Sequence, residues 1–407
     1  MKNRVDSRQG VRRPHIYELD PLRAVTALVV VAVHVLAFTV GLNKTTTGIQ
    51  VQNAFIVSVH FTRALFMFVT AFAMTYVYSG KKVPPARFWK KRGIGVLVPY
   101  CIWSVIYVFV NQPPTTPLHF ASSSLIAILT GTSSYQMYYI LMTLQFYLLL
   151  PVFLYLLEKV KDHPWRALSI SFVLQLVFFY VDFHFIQAGP FANTPVGKVV
   201  DGFQDEFVVI YQFYFLLGGL TALYFQPIKS FLLRYGKLVV CGMILTTVAL
   251  WIDFFMQIHT LREPISLAVS VLQPVMVPYS GMVIIFALWL ACKWAGTRDS
   301  KGKPRGYGLW DQLSKASFGV YLIHALLLTV VLQKITPAMP QGWPVAVRVL
   351  LTWIITAGSA ATLSIVMVNT PLVSRLVGRA RPLPAWLTRK QITPKQEQVA
   401  SKQQAGL

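Results

Sequence analysis

Long apolar runs recur along the chain and are separated by short polar segments. Each run is close to the roughly 20 residues that an α-helix needs to cross the hydrocarbon core of a bilayer. The runs lie at 22–41, 53–78, 94–110, 135–157, 167–182, 207–225, 238–255, 267–291, 317–333 and 345–369. The pattern predicts an all-α, polytopic membrane protein of about ten transmembrane helices that is embedded in a lipid bilayer.

The apolar stretch 118–130 is treated separately from these spans. Pro113, Pro114 and Pro117 stand before it or at its edge, and three consecutive serines lie inside it. Clusters of proline and serine mark turns and loops. We therefore expect a loop or an interfacial segment here.

Composition supports a membrane protein. Of the 407 residues, 55% are hydrophobic and only 13% are charged, whereas soluble domains carry about 25% charged residues. Lipid must then act as the solvent for much of the surface. The three cysteines, Cys101, Cys241 and Cys292, lie in or beside apolar runs. Their number and spacing suggest neither a disulfide framework nor a metal site, so we expect each to pack in the core.

The strong positive charge follows the membrane topology. The net charge is +23, from 37 Lys and Arg residues against 14 Asp and Glu residues. Nucleic-acid binding is one interpretation of such a balance, but the basic residues stand at the ends of the apolar runs, as in cytoplasmic loops of membrane proteins. If the N-terminus is inside, 31 cations fall in cytoplasmic segments and five in outer ones. This bias predicts cytoplasmic termini, an even number of spans and no nucleic-acid partner.

The same pattern divides the chain into three parts. We predict a basic cytoplasmic segment at 1–20, a membrane domain at 21–370 and a basic, partly disordered cytoplasmic tail at 371–407. No small-residue cleavage site follows the first apolar run, so this run is expected to stay as a span. Neither a long-period repeat nor a separate soluble domain is evident.

Two ionisable residues stand out in the first span. Arg23 and His34 are eleven residues apart, which places them on one helix face about 16 Å apart along its axis. Arg23 would lie at the inner interface, as a snorkelling anchor or as a functional group. His34 would lie near mid-membrane, either hydrogen-bonded to a neighbouring helix or acting as a base or nucleophile. Asp20, one turn before Arg23, could pair with it locally.

Two further ionisable residues are predicted at a similar depth. Arg63 lies about ten residues into the second span, with His60 nearby. An arginine at that depth is costly, so a partner or an aqueous cavity is implied. His324 lies nine residues beyond Lys315, which gives it nearly the depth of His34. We therefore expect a shared polar pocket of His34, Arg63 and His324.

The first span reads LDPLRAVTALVVVAVHV, in which an arginine, ten residues and a histidine follow one another. This segment resembles the opening helix of the membrane acyltransferase 3 family. TRALFMFVTAFAMTY in the second span is similar to the family's apolar stretch before a Ser-Gly pair, with Thr70 and Ala71 in its place. The resemblance runs in order from about residue 16 to 370.

Three later segments extend the resemblance. RFWKKRGIGVLVPY is similar to the family's basic turn before a Pro-Tyr helix, although Gly95 and Val96 stand where a second basic residue is common. YYILMTLQFYLLLP resembles its aromatic helix, with a Tyr-Tyr pair for Trp-Phe. LSKASFGVYLIHALLL is similar to its segment with a serine, a tyrosine and a histidine, here Ser317, Tyr321 and His324.

The resemblance implies an enzyme and its substrates. It implies transfer of an acyl group, usually acetyl, from cytoplasmic acyl-CoA to a hydroxyl of a cell-surface or lipid-linked carbohydrate. Acyl-CoA would be a co-substrate, and no permanently bound cofactor is expected. The expected location is a multi-pass position in a bacterial plasma membrane. A rival interpretation within the same family is a polysaccharide exporter or flippase, because ten helices with a polar interior also suit transport.

The resemblance also implies roles for the candidate residues. His34 would be the general base or the acyl carrier, and Arg23 would hold the donor. Arg63 or His324 would stabilise the oxyanion. The basic edge formed by Lys90, Lys91 and Arg92 would receive the CoA phosphates. The remaining expected substrate-binding residues are Asp20 and Tyr321.

Overall fold

A computed structural model describes most of the chain. The described residues are 13–81, 85–113, 115–300, 302–379 and 381–382, without the side chains of Pro85, Arg87, Lys91 and Asp205. They form fifteen α-helices and no β-strand. In chain order these are α1 Leu19–Thr39, α2 Thr46–Val59, α3 Thr62–Tyr78, α4 Pro85–Asn111, α5 Pro117–Thr130, α6 Tyr138–Val160, α7 Pro164–Val181, α8 Pro195–Phe203, α9 Gln212–Leu223, α10 Phe225–Arg234, α11 Gly236–His259, α12 Ile265–Ala268, α13 Met276–Gly296, α14 Tyr307–Val330 and α15 Val345–Asn369.

The helices form a polytopic bundle, as predicted. In the described part of the chain, nine segments are long and apolar enough to span a membrane, and a pair bent by 59° at Pro195–Phe203 and Val208–Leu223 can supply a tenth. Arg23 at the start of α1 and Arg379 after α15 line one cavity, so both ends of the described chain lie at the same face. An even number of crossings is required, which favours counting the bent pair as one span. The assignment of this face to the cytoplasm remains a prediction from charge.

The predicted span at 53–78 is two helices. α2 ends at Val59 and α3 begins at Thr62. A break inside a membrane frees backbone carbonyl groups that lipid cannot satisfy. Here the Tyr279 hydroxyl donates to the Ser58 carbonyl oxygen at 2.6 Å, and the Trp251 indole N–H donates to the Ser58 hydroxyl at 2.8 Å. The neighbouring helices therefore stabilise the break, which hydropathy does not reveal.

The loop alternative for 118–130 is wrong, because these residues belong to the fourteen-residue helix α5. An interfacial location for this segment stays a prediction. The Thr116 hydroxyl accepts from the backbone N–H of His119 at 3.2 Å, and Pro117 occupies the first turn, where no helical donor is lost. The Tyr100 hydroxyl donates to the Ile128 carbonyl at 2.6 Å. α5 therefore turns back along α4.

Three other boundaries differ from the predictions. The span predicted at 207–225 contains only the twelve residues of α9 after a 3₁₀ turn. The span predicted at 267–291 begins at Met276. α14 begins at Tyr307, ten residues before its predicted start. Its polar first turns are supported by an ion pair between Asp311 and Lys315 one turn apart.

The cysteines occupy different environments. Cys292 is buried and Cys101 is half-buried, whereas Cys241 is exposed. The expectation of core packing is therefore wrong for Cys241. It lies on α11, many of whose large apolar side chains are exposed on the outside of the bundle. An apolar solvent accepts a thiol there as readily as a packed core does.

The close packing of α3 and α9 depends on Gly218. A Cβ at this position would lie 2.4 Å from the carbonyl oxygen of Phe68 and 3.1 Å from the Cβ of Ala71. We expect Gly218→Ala to destabilise the fold by about 1–3 kcal/mol, because two helix backbones must move apart. Thermal unfolding of the purified protein in detergent measures this. Gly358→Ala is the control, since a Cβ there meets nothing within 4 Å. Equal melting temperatures for both variants would contradict the prediction.

Candidate active site

Two cavities lie between the helices that carry the predicted site residues. The first, here called the histidine cavity, has a volume of about 70 Å³. Its polar lining is His34, His60, Arg63, Gln136 and Tyr138, with Thr62, Tyr139 and Tyr321 beside them. The helix break between α2 and α3 places His60 and Arg63 in its wall. The structure thus brings His34 and Arg63 together at one small polar space.

His324 stacks on His34 from α14. The two imidazole rings are 5.3 Å apart between centroids and inclined by only 21°, and the ring of Tyr135 lies 4.4 Å from that of His34. The predicted cluster of His34, Arg63 and His324 is therefore contiguous, although His324 stands behind His34 and does not line the cavity. In the described part of the chain, no group of three or more His, Cys, Asp or Glu side chains is arranged to hold a metal ion.

The hydrogen bonds of His324 define its tautomer. Its Nδ1 lies 2.8 Å from the carbonyl oxygen of Tyr321 and 3.2 Å from that of Val320. A nitrogen between two acceptors must carry the proton, so Nε2 holds the lone pair. His324 is fully buried, and its Nε2 has no hydrogen-bond partner among the described residues. This nitrogen belongs to a ring that stacks on His34.

Two hydrogen-bond donors face the histidine cavity from different elements. Arg63, in the first turn of α3, lies with its guanidinium carbon 5.2 Å from the centre of the Tyr138 ring. It also donates to the Tyr211 hydroxyl at 3.4 Å. Gln136 lies in the turn between α5 and α6, and its carboxamide oxygen accepts from the Ser134 hydroxyl at 2.7 Å. Its carboxamide nitrogen is buried without a partner among the described residues. Both Arg63 and Gln136 could therefore donate a hydrogen bond to a negative charge that develops in the cavity.

The second cavity, here called the basic cavity, has a volume of about 530 Å³. Four cationic side chains line it, namely Arg23, Arg92, Lys315 and Arg379. No Asp or Glu side chain of the described residues lines it. It is therefore suited to an anion. Of the predicted phosphate-binding edge, Arg92 lines this cavity, Lys90 does not, and the side chain of Lys91 lies outside the described residues.

An aromatic wall separates the two cavities. Phe66, Tyr139 and Tyr321 line both of them. Tyr321 is held by a hydrogen bond from its hydroxyl to the carbonyl oxygen of Gln136. The Tyr139 hydroxyl is buried and has no partner among the described residues. The two cavities are therefore neighbours with three aromatic rings between them.

Asp20 occupies neither cavity. It is buried, and one carboxylate oxygen accepts from the Ser314 hydroxyl at 2.8 Å while the other lies 2.7 Å from His15 Nε2. It forms no ion pair with Arg23 within 4 Å among the described residues. Asp20 therefore joins α1 to α14 and to His15, and its predicted contact with substrate stays a prediction.

A family model of the acyltransferase domain matches residues 16–368. The chain belongs to the acyltransferase 3 family. This acyltransferase 3 protein is therefore a membrane acyltransferase. Neither a curated protein nor a solved structure matches the chain significantly. The family match contains every residue of the histidine cavity, whereas three residues of the basic cavity, Val377, Gly378 and Arg379, follow its last residue.

Proposed function

We propose that this protein transfers an acyl group, acetyl in the first place, from cytoplasmic acyl-CoA to a hydroxyl of a cell-surface or lipid-linked carbohydrate. One observation carries the proposal. A basic cavity and a histidine cavity share an aromatic wall, and one face of α1 supplies Arg23 to the first and His34 to the second. This is the order in which an anionic donor and its reactive carbonyl would have to lie.

The basic cavity fits the phosphate end of CoA. Arg23 and Arg92 present guanidinium groups, which bind phosphate oxygens in a two-pronged geometry. Arg23 and His34 are about 16 Å apart along α1, a distance that the long pantetheine arm can span. The thioester would then reach the wall formed by Phe66, Tyr139 and Tyr321. The face that receives CoA is the one that the charge bias assigns to the cytoplasm.

The histidine cavity supplies the chemistry. His34 removes the proton from the acceptor hydroxyl as its oxygen attacks the thioester carbonyl. The carbonyl oxygen becomes negative, and Arg63 and Gln136 donate hydrogen bonds to it. Collapse of the tetrahedral intermediate forms the ester and releases CoA thiolate, which takes the proton back from His34. The small cavity volume of about 70 Å³ favours a short acyl chain.

The position of His324 bears on the role of His34. Its ring stacks on that of His34, which fixes the orientation of the imidazole that acts as the base. The alternative is that His34 itself attacks the thioester and carries the acyl group before the acceptor binds. Both routes use the same donor site and the same oxyanion donors.

The test is acyl transfer by the purified protein in proteoliposomes. Radiolabelled acetyl-CoA is supplied at the basic face, and label in a carbohydrate acceptor is counted against protein-free liposomes. We expect label in an alkali-labile ester of the acceptor. A deletion strain gives the second arm, in which normal amounts of unacylated polymer support the enzyme. Loss of polymer export with unchanged acyl content would instead support a transporter and contradict the proposal.

A further inference from the structure

The chain continues past the family match into a short segment that packs on the basic cavity. Residues 373–379, here called the C-terminal strap, consist of a 3₁₀ turn at Val373–Val377 followed by Gly378 and Arg379. The match ends at residue 368. The strap is thus outside the part of the chain that the family accounts for, yet it supplies part of the cavity wall.

The strap is fastened to α4 by specific contacts. The Trp103 indole N–H donates to the Leu376 carbonyl oxygen at 3.0 Å, and Val377 is buried. Within the strap, the Arg379 backbone N–H donates to the Ser374 carbonyl oxygen at 2.8 Å. These bonds hold the backbone of Arg379 in one place.

Gly378 allows the strap to pass close to α4 at the cavity. Gly378 has φ +71°, and a Cβ there would lie 2.6 Å from the carbonyl oxygen of Gly95 and 3.0 Å from the Phe318 ring. Such a conformation and such an approach both require glycine. A Cβ on Gly95 would meet the Gly378 carbonyl oxygen at 3.8 Å, an ordinary van der Waals distance. Gly95 therefore lies next to the backbone that carries Arg379.

The guanidinium of Arg379 is available for an anion. Lys315, in the same cavity, already pairs with Asp311. The neighbouring Arg381 donates to the Asn369 side-chain oxygen at 2.6 Å and does not line the cavity. Arg379 forms no ion pair within 4 Å among the described residues. It is exposed to the basic cavity together with Arg23 and Arg92.

We propose that Arg379 binds a phosphate of the acyl donor, so that the C-terminal strap completes the anion site formed by Arg23 and Arg92. This inference rests on the proposed function, because it assigns a further residue to donor binding. Three guanidinium groups on three separate elements then surround one anion. Removing the Arg379 side chain should weaken donor binding without changing the chemistry in the histidine cavity.

The experiment compares Arg379→Ala with a matched control in the full-length protein reconstituted in nanodiscs. We expect the dissociation constant of CoA to rise about tenfold, as loss of one charge-assisted hydrogen bond predicts. Inorganic pyrophosphate should lose its ability to compete with CoA to a similar extent. Arg379→Lys should give a smaller loss. Arg375→Ala should match the wild type, because Arg375 is exposed on the same strap and does not line the cavity.

Kinetics separate binding from a structural effect. In Arg379→Ala the KM for acetyl-CoA should rise while kcat at saturating donor stays within about twofold of the wild type. Unchanged CoA affinity in both Arg379→Ala and Arg379→Gln would overturn the inference and leave the proposed function intact. A drop in melting temperature with no preferential loss of CoA affinity would also overturn it. Failure of the wild type to bind CoA would overturn the proposed function itself.

Discussion

A His34→Ala variant is expected to lose acyl transfer by about a hundredfold to ten-thousandfold, the range that a positioned general base contributes. CoA affinity should stay within about twofold of the wild type, because Arg23, which is proposed to bind the donor, lies about 16 Å from His34 along α1. The expected result is thus a fall in kcat with little change in the KM for acetyl-CoA. His34→Gln keeps much of the side chain's bulk and should be as inactive as the alanine variant.

The control for this prediction is His259→Ala. His259 ends α11 and stacks on Phe255, outside both cavities, so its variant should transfer at the wild-type rate. Rapid quenching of the wild type with labelled acetyl-CoA and no acceptor adds a second measurement. Label retained on His34 would assign it as the acyl carrier, and no retained label would assign it as the base. Full activity of His34→Ala at a normal protein level would contradict both roles.

The bundle could be predicted because a bilayer leaves few alternatives. Lipid requires about 20 apolar residues for each crossing and internal backbone hydrogen bonds throughout. Both demands are visible in a single sequence. The one-face relation of Arg23 and His34 followed from helix geometry alone, and the structure places them in two cavities that share a wall.

The features that complete the site could not be predicted in the same way. The break at His60–Phe61 leaves hydropathy unchanged and depends on donors from Tyr279 and Trp251, which lie far along the chain. The sequence did not predict α5 as a helix, because Pro117 indicated a loop. Proline is also favourable in the first turn of a helix, and that is the position of Pro117 in α5. Only that returning helix brings Gln136 to the histidine cavity.

The turn after α5, which brings Gln136 to the histidine cavity, has no distinctive sequence pattern. Gly131 has φ +72°, and a Cβ there would lie 2.7 Å from the Cα of Tyr138. A glycine between two apolar stretches suggests a turn but not its direction. Gln136 falls at the edge of the predicted span 135–157, where a polar residue is ordinary. Its role depends on a long-range contact, from the Tyr321 hydroxyl to its backbone carbonyl.

The basic cavity joins residues that are far apart in the sequence. The resemblance left Gly95 and Val96 as a gap in the expected phosphate-binding edge. The structure shows that Gly95 faces the Gly378 carbonyl oxygen, and in our proposal Arg379 fills the gap from the other end of the chain. No local sequence pattern connects Gly95 with Arg379. Arg379 follows the last apolar run by ten residues, so the sequence alone assigns it to a basic tail.

Arg23 is the second residue for which a large effect is expected. We expect Arg23→Ala to raise the KM for acetyl-CoA by about tenfold to a hundredfold, the effect of removing a hydrogen-bonding cation from an anion. Arg23→Lys should keep the charge but lose the two-pronged geometry, so it should recover only part of the affinity. Raising the salt concentration should weaken CoA binding less in Arg23→Ala than in the wild type, because one cation no longer contributes.

The control distinguishes donor binding from anchoring at the membrane surface. Arg166 also lies in the first turn of its helix, α7, and it is exposed outside the basic cavity. Arg166→Ala removes a simple interfacial arginine and should leave the KM unchanged. If Arg23 were only an anchor, Arg23→Ala and Arg166→Ala would behave alike, with lower protein levels at most. The geometry argues against that result, because the Arg23 side chain lines a cavity between helices together with Arg92 and Arg379.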